Sequence, residues 1–180
     1  MLVVNIFGGP GAGKSTIAAG VFSEIKQLGI ETEYIPEFAK VLAWSNRILD
    51  MRKQLYVFAK QEYMLETLRQ QPLDVVVTDA PLPTSLAYVT HDYYTSFPTL
   101  VMEVFNRYKN MNFFLEHRHP YSQVGRIQDR EAAHAVAKRV REMLEERNIP
   151  YMSTANESSP IDFILEKVLN ELRMENTVRV

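Results

Sequence analysis

Short apolar runs alternate along the chain with longer segments whose apolar residues recur every three to four positions. Leu2 to Phe7 is a short run ending in glycines and reads as a buried strand. Ser15 to Leu28 carries Ile17, Val21, Phe22, Ile25 and Leu28 at helical spacing, and Gly29 stops it as a C-terminal cap would. Glu31 to Ile35 reads as a weaker strand ending at Pro36. Phe38 to Trp44 reads as a helix with Trp44 in the core, and Asn46 to Met51 as a break or turn. Lys53 to Arg69 predicts a longer helix, with Leu55, Phe58, Ala59, Leu65 and Leu68 among its apolar residues. Leu73 with Val75 to Val77 gives the strongest strand signal and closes at Thr78-Asp79.

Further along, Thr84 to Val89 and Pro98 to Tyr108 predict helices around a Tyr-rich loop, His91 to Ser96. Met111 to Leu115 reads as a strand, and His117 to Gln128 is polar and irregular. Asp129 to Arg147 reads as a helix with Asp129 as its N-cap. Pro150 to Met152 begins a short strand, Ser159 to Leu172 is the last helix, and Met174 to Val180 is expected to fray. Five strands alternating with helices predict an α/β fold, a parallel sheet covered on both faces. Ligands on such sheets bind beyond the carboxyl ends of the strands. Those ends carry the glycine loop, Glu37, Asp79, the segment after Leu115, and Ser153 to Asn156.

At 180 residues the chain suits a single domain with a small lid, able to bury roughly 70% of its unfolded surface. The absence of cysteine excludes disulfides, Cys-ligated zinc, iron–sulfur clusters and a thiol nucleophile. A net charge of −2 excludes a globally basic nucleic-acid coat. No apolar window is long enough for a membrane span, so a soluble, cytoplasmic protein without a membrane partner is expected. The composition leaves the oligomeric state open.

Gly8-Gly9-Pro10-Gly11-Ala12-Gly13-Lys14-Ser15 fits G-x-x-x-x-G-K-[ST] in full, between a predicted strand and a predicted helix. Glycines let successive N–H groups turn toward phosphate oxygens, and the helix that follows adds its positive end. Lys14 is expected at the β- and γ-phosphates, and Ser15 at Mg²⁺. The motif therefore predicts a nucleoside triphosphate and Mg²⁺ without naming the phosphate acceptor. Asp79 is expected to hold Mg²⁺, directly or through water, or to sit by the reacting centre. Glu37 is read as a proton acceptor for an attacking hydroxyl or a ligand for a sugar hydroxyl, against a plain N-terminal helix carboxylate.

Residues 117 to 141 hold six Lys or Arg against two acids. Arg126, after Gly125, is expected to close over the transferring phosphoryl group; Arg118 is expected near the nucleotide base, and Arg130 near the substrate. Lys138, Arg139 and Arg141 read as a solvated helix face. Gln54 and Gln61, seven residues apart, share a helix face on which their amides would read a pyrimidine edge or simply meet solvent. Tyr88, Tyr93, Tyr94 and Phe97 read as packing residues, base stacking being the alternative.

The glycine loop, Pro36-Glu37-Phe38-Ala39-Lys40, Thr78-Asp79-Ala80-Pro81 and Gly125-Arg126 occur in an order that resembles P-loop kinases of the nucleoside and nucleotide kinase group. FGGPGAGKSTIAAGVF, PEFAKVLAW and QLYVFAKQ more narrowly resemble a phage kinase family, some of whose members phosphorylate 5-hydroxymethyluracil in DNA. The resemblance implies a five-stranded parallel sheet of order 2-3-1-4-5 and an arginine-bearing lid at about 117–130. It implies ATP held by Gly8, Gly9, Pro10, Gly11, Ala12, Gly13, Lys14, Ser15 and Thr16, and catalysis by Lys14, Glu37, Asp79 and Arg126. The acceptor it implies is 5-hydroxymethyluracil in DNA, a step of thymidine hypermodification. The alternatives are a deoxynucleoside or deoxynucleoside monophosphate, an NTPase switch, and a non-catalytic nucleotide-binding module.

Overall fold

The structure is a computed structural model that describes residues 1–116 and 130–178. Its elements are β1 (Leu2–Phe7), α1 (Lys14–Gln27), β2 (Thr32–Ile35), α2 (Phe38–Trp44), α3 (Ile48–Met51), α4 (Gln54–Arg69) and β3 (Val75–Thr78). There follow a 3₁₀ segment (Leu82–Tyr88), α5 (Phe97–Phe105), β4 (Lys109–Phe114), α6 (Arg130–Glu146), β5 (Met152–Ser153) and α7 (Pro160–Val178). The five strands form one sheet in the order β2-β3-β1-β4-β5, every pairing parallel. That is the 2-3-1-4-5 order expected of a P-loop kinase fold.

Central β1 is buried on both faces, and its alternation divides the core. Val3 and Phe7 face α4, α5 and α6, with Val76 and Phe114 beside them. Leu2, Val4 and Ile6 face α1 and α7, with Val75, Val77 and Phe113. On α1, Ala18, Val21 and Ile25 are buried at helical spacing. Gly29, at φ 76°, ends the helix and donates to the Lys26 carbonyl at 3.1 Å, the cap its position predicts.

One polar feature runs through the sheet. Asn5 donates to the side-chain oxygens of Asn110 and Asn112 at 2.9 and 3.0 Å, and Asn112 donates to the Pro150 carbonyl at 3.0 Å. Asn5 is opposite Asn112 in the β1–β4 register. Because a buried amide needs partners, this cluster favours one register over its slipped alternatives.

Several expectations are corrected. Trp44 is 64% exposed, because short α2 buries only Leu42, while Ala39, Lys40, Ala43 and Trp44 line a cavity. Leu28 and Leu55 are also exposed. The Asn46–Met51 break contains a helical turn, α3. Pro81 and Pro83 begin the segment expected as a Thr84 helix, and it winds as 3₁₀ instead. The tail from Met174 remains helical to Val178. Among the described residues no helix is long and apolar enough to cross a membrane.

Candidate active site at the strand ends

Because the strands are parallel, their carboxyl ends gather on one edge. β1 delivers the glycine loop there. Gly8, Gly11 and Gly13 have φ of 144°, 82° and 90°. At Gly8 a Cβ would lie 2.7 Å from the Leu115 carbonyl oxygen, so both the backbone angle and the space exclude a side chain. The Leu115 N–H donates to the Phe7 carbonyl at 2.9 Å and fixes the loop's root to the end of β4. The intrahelical ladder of α1 begins with Ile17 N–H donating to Gly13 at 3.0 Å. The amides ahead of it have no intrahelical acceptor, and the first turn holds no acidic residue. The loop and the start of α1 thus form a positively polarised cradle. The Lys14 ammonium donates to the Gly9 carbonyl at 3.0 Å, folded back over that cradle.

β3 delivers Asp79, only 2% exposed, whose Oδ1 is buried without a hydrogen-bond partner. An orphaned carboxylate oxygen at the sheet edge that also carries the glycine loop suits a hard cation better than a structural contact. Ser15 and Asp79 fit Mg²⁺ on donor chemistry. Among the described residues no group of three His, Asp or Glu gathers, so a cation here would take its other ligands from phosphate and water.

β2 delivers Glu37 as the residue before α2, at φ −64° and ψ 114°, and its side chain makes no capping bond. It lines a cavity of about 310 Å³ together with Lys14 and Ser15. Tyr34, three residues earlier, was not singled out by the sequence. Burial, then the charge of Asp79 and a hydrogen bond to it, then the charge of Glu37, push its phenol far above the ordinary value, against a smaller lowering by a bond from Ser15. The phenol therefore stays a donor at any working pH. The only sequence signal was its place on a strand leading to a candidate carboxylate.

Gln54 and Gln61 share one face of α4, as their spacing predicts, but both are buried against the cavity rather than exposed. Gln61 donates from Nε2 to the Pro36 carbonyl at 3.2 Å and accepts the Phe38 N–H at 3.2 Å. Its amide thus braces the backbone on both sides of Glu37 instead of lying open as an edge reader. Gln54 donates to the Met51 carbonyl at 2.9 Å. Gln61→Leu is expected to leave that backbone pair unmet and to cost about 2 kcal/mol. A lowered urea midpoint checks this, and an unchanged midpoint would return Gln61 to the surface of the cavity.

The aromatic cluster divides. Tyr88 lines the cavity, Phe97 is buried, and Tyr94 is exposed. Tyr93 packs on Tyr94 and Phe97, and its hydroxyl accepts the Leu55 N–H at 2.8 Å. Arg141, expected on a solvated face, instead pairs with Glu116 and covers the Phe114 ring at 4.3 Å. Arg118, Arg126 and the expected lid up to residue 129 lie outside the described residues, as does the side chain of Arg130 at the start of α6.

A family model described as an AAA domain matches residues 3–159. No curated protein matches the chain. Among solved structures, deoxyadenosine kinase from M. mycoides, with the products dCMP and dCDP bound, is 18% identical at a TM-score of 0.54, covering 96% of this chain and 99% of that one. The same enzyme with bound dCTP is 18% identical at a TM-score of 0.57, over 96% and 99% of the two chains. Thymidylate kinase from Ehrlichia chaffeensis is 15% identical at a TM-score of 0.58, over 95% and 98%. At these identities the likeness is one of fold.

Proposed function

Because the chain belongs to the AAA domain family, whose model spans most of its length, we propose that it is an ATP- and Mg²⁺-dependent kinase acting on a deoxynucleoside or deoxynucleoside monophosphate. The observation that carries this reading is that one cavity of about 310 Å³ is lined by both the phosphate loop and Glu37. A switch or simple hydrolase needs room only for water, whereas this volume suits a small organic acceptor. Ala43, Val57, Phe58, Leu82 and Tyr88 give it an apolar wall suited to a base. Its cations among the described residues are Lys14 and Lys40.

In this reading Gly8 to Thr16 hold the triphosphate, and Lys14 neutralises charge on the γ-phosphoryl group. Ser15 and Asp79 would hold Mg²⁺, which supplies further neutralisation of phosphate charge when bound. Glu37 accepts the proton of the attacking hydroxyl as its oxygen bonds to the γ-phosphorus and the β–γ bridging bond breaks. Gln54 offers its amide to the base, while Arg118, Arg126 and Arg130 are assigned to the closing segment. The kinases of similar fold are named for deoxyadenosine and thymidylate, which favours a small acceptor over 5-hydroxymethyluracil in DNA.

The test is transfer of labelled γ-phosphate from ATP to free deoxynucleosides and their monophosphates, beside DNA containing 5-hydroxymethyluracil and a thymine DNA control. Label on a free acceptor is expected. Label on the modified DNA alone would replace this acceptor with a DNA base. Hydrolysis that no acceptor accelerates would overturn the kinase reading.

A further inference from the structure

Resting on the acceptor reading above, we propose that Trp44 is an acceptor-binding residue, its indole covering the face of the acceptor's base. Glu37, Lys40 and Trp44 recur at i, i+3 and i+7 and all line the cavity, so one face of α2 is turned toward it. Ala39 and Ala43 belong to the same lining, and their small side chains leave room for a flat ring. Leu42 is turned into the core instead. At the helical rise, seven residues set Trp44 about 10 Å along this face from Glu37. The reacting hydroxyl of a nucleoside and the far side of its base are separated on that scale. α4 packs against both α2 and the 3₁₀ segment, and the latter brings Tyr88 to the same cavity as a second aromatic group.

The Trp44 side chain is largely in solvent, yet its backbone is firmly held. Asn46, at φ 56°, follows α2; its N–H donates to the Ala43 carbonyl at 3.1 Å, and the Arg47 N–H donates to the Leu42 carbonyl at 2.8 Å. This paired cap closes the last turn, the one that carries Trp44. The fold thus pins a large apolar ring at the cavity while leaving most of its surface uncovered. A base laid against the indole removes apolar surface of both from water, and every base has a π-face to offer. Gln54, buried on α4 in the same lining, is left to meet the base's edge. The face contact therefore sets the class of acceptor, a molecule with a planar heteroaromatic ring, and not which base it carries.

Trp44 is the chain's one tryptophan, so indole fluorescence reports on this position alone. The full-length protein is titrated with deoxyadenosine, deoxycytidine, thymidine and their 5′-monophosphates, and with deoxyribose as a ring-free comparison. Transfer from labelled ATP is measured with the same compounds. Fluorescence is expected to change with the compounds that are phosphorylated and not with deoxyribose. For the acceptor used best, Trp44→Ala is expected to raise KM about tenfold or more, with kcat and ATP affinity within about twofold. Trp44→Phe keeps a ring and is expected to recover most of that loss. Val41→Ala trims an exposed side chain of α2 outside the cavity lining and is expected to match the parent. The assignment is overturned if W44A keeps the parent's KM, if V41A reproduces the loss, or if deoxyribose is used as well as the nucleosides. A parent that phosphorylates no free acceptor overturns the acceptor reading and this assignment together. A parent that does so beside an indistinguishable W44A overturns the Trp44 assignment alone.

Discussion

Lys14→Ala is expected to lower γ-phosphate transfer by about three orders of magnitude with the fold intact. The ammonium is the cation that the glycine loop itself contributes to the cavity, and it lies over the loop, bonded to the Gly9 carbonyl at 3.0 Å. Charge builds on the phosphoryl oxygens as the β–γ bond breaks, and a preorganised positive group there acts in a partly enclosed site. Truncation removes that group but leaves the backbone cradle of Gly8, Gly11 and Gly13. Nucleotide binding should therefore weaken much less than turnover does. Single-turnover rates with labelled ATP, beside a urea midpoint for each protein, separate the two effects. Near-normal transfer by the variant would contradict the role given to the loop.

Glu37→Gln is expected to reduce transfer by about two to three orders of magnitude while ATP affinity stays within about twofold. The substitution preserves shape and removes basicity. It falls at a position whose side chain makes no cap bond to α2, so helix geometry gives little reason for collateral damage. The segment is braced independently by the Gln61 amide on Pro36 and Phe38. The measurement is kcat against acceptor concentration, with ATP binding by calorimetry. A matched loss of ATP binding would make Glu37 a structural carboxylate.

What the sequence made legible follows physical locality. The phosphate loop was readable because its function is written in backbone: glycines at three positive-φ positions, then a helix start, all contiguous. The placement of Asp79 and Glu37 on one edge was readable because a parallel sheet directs every strand's end there, so order along the chain implies proximity. The place of Tyr34 was not, since it depends on the β2–β3 register and on α1 folding back, contacts between residues far apart in sequence. Gln61 was placed on the right face, but its bonds to the backbone around Glu37 were not readable, because helical periodicity fixes direction but not which backbone amide waits opposite. Trp44 was misplaced for a related reason. Its size argued for burial, yet the helix that carries it is too short to turn more than Leu42 inward. The Asn5, Asn110 and Asn112 cluster gave no advance sign, as each is an ordinary polar residue until two strands align.

The closure of the glycine loop against Leu115 has a consequence for the chain as it is made. Gly8 leaves the ribosome ahead of Leu115, whose amide holds Phe7 and whose carbonyl crowds Gly8, and which follows more than a hundred residues later. At ordinary synthesis rates that interval is on the order of ten seconds. Until it ends, the loop's most recognisable residues have no roof and β1 has no partner on its β4 side. A nascent chain ending before β4 thus carries the full motif without the closure at its root. On the proposed function, retention of nucleotide by growing chains would report that the centre of the sheet has assembled, well after the motif itself has been translated.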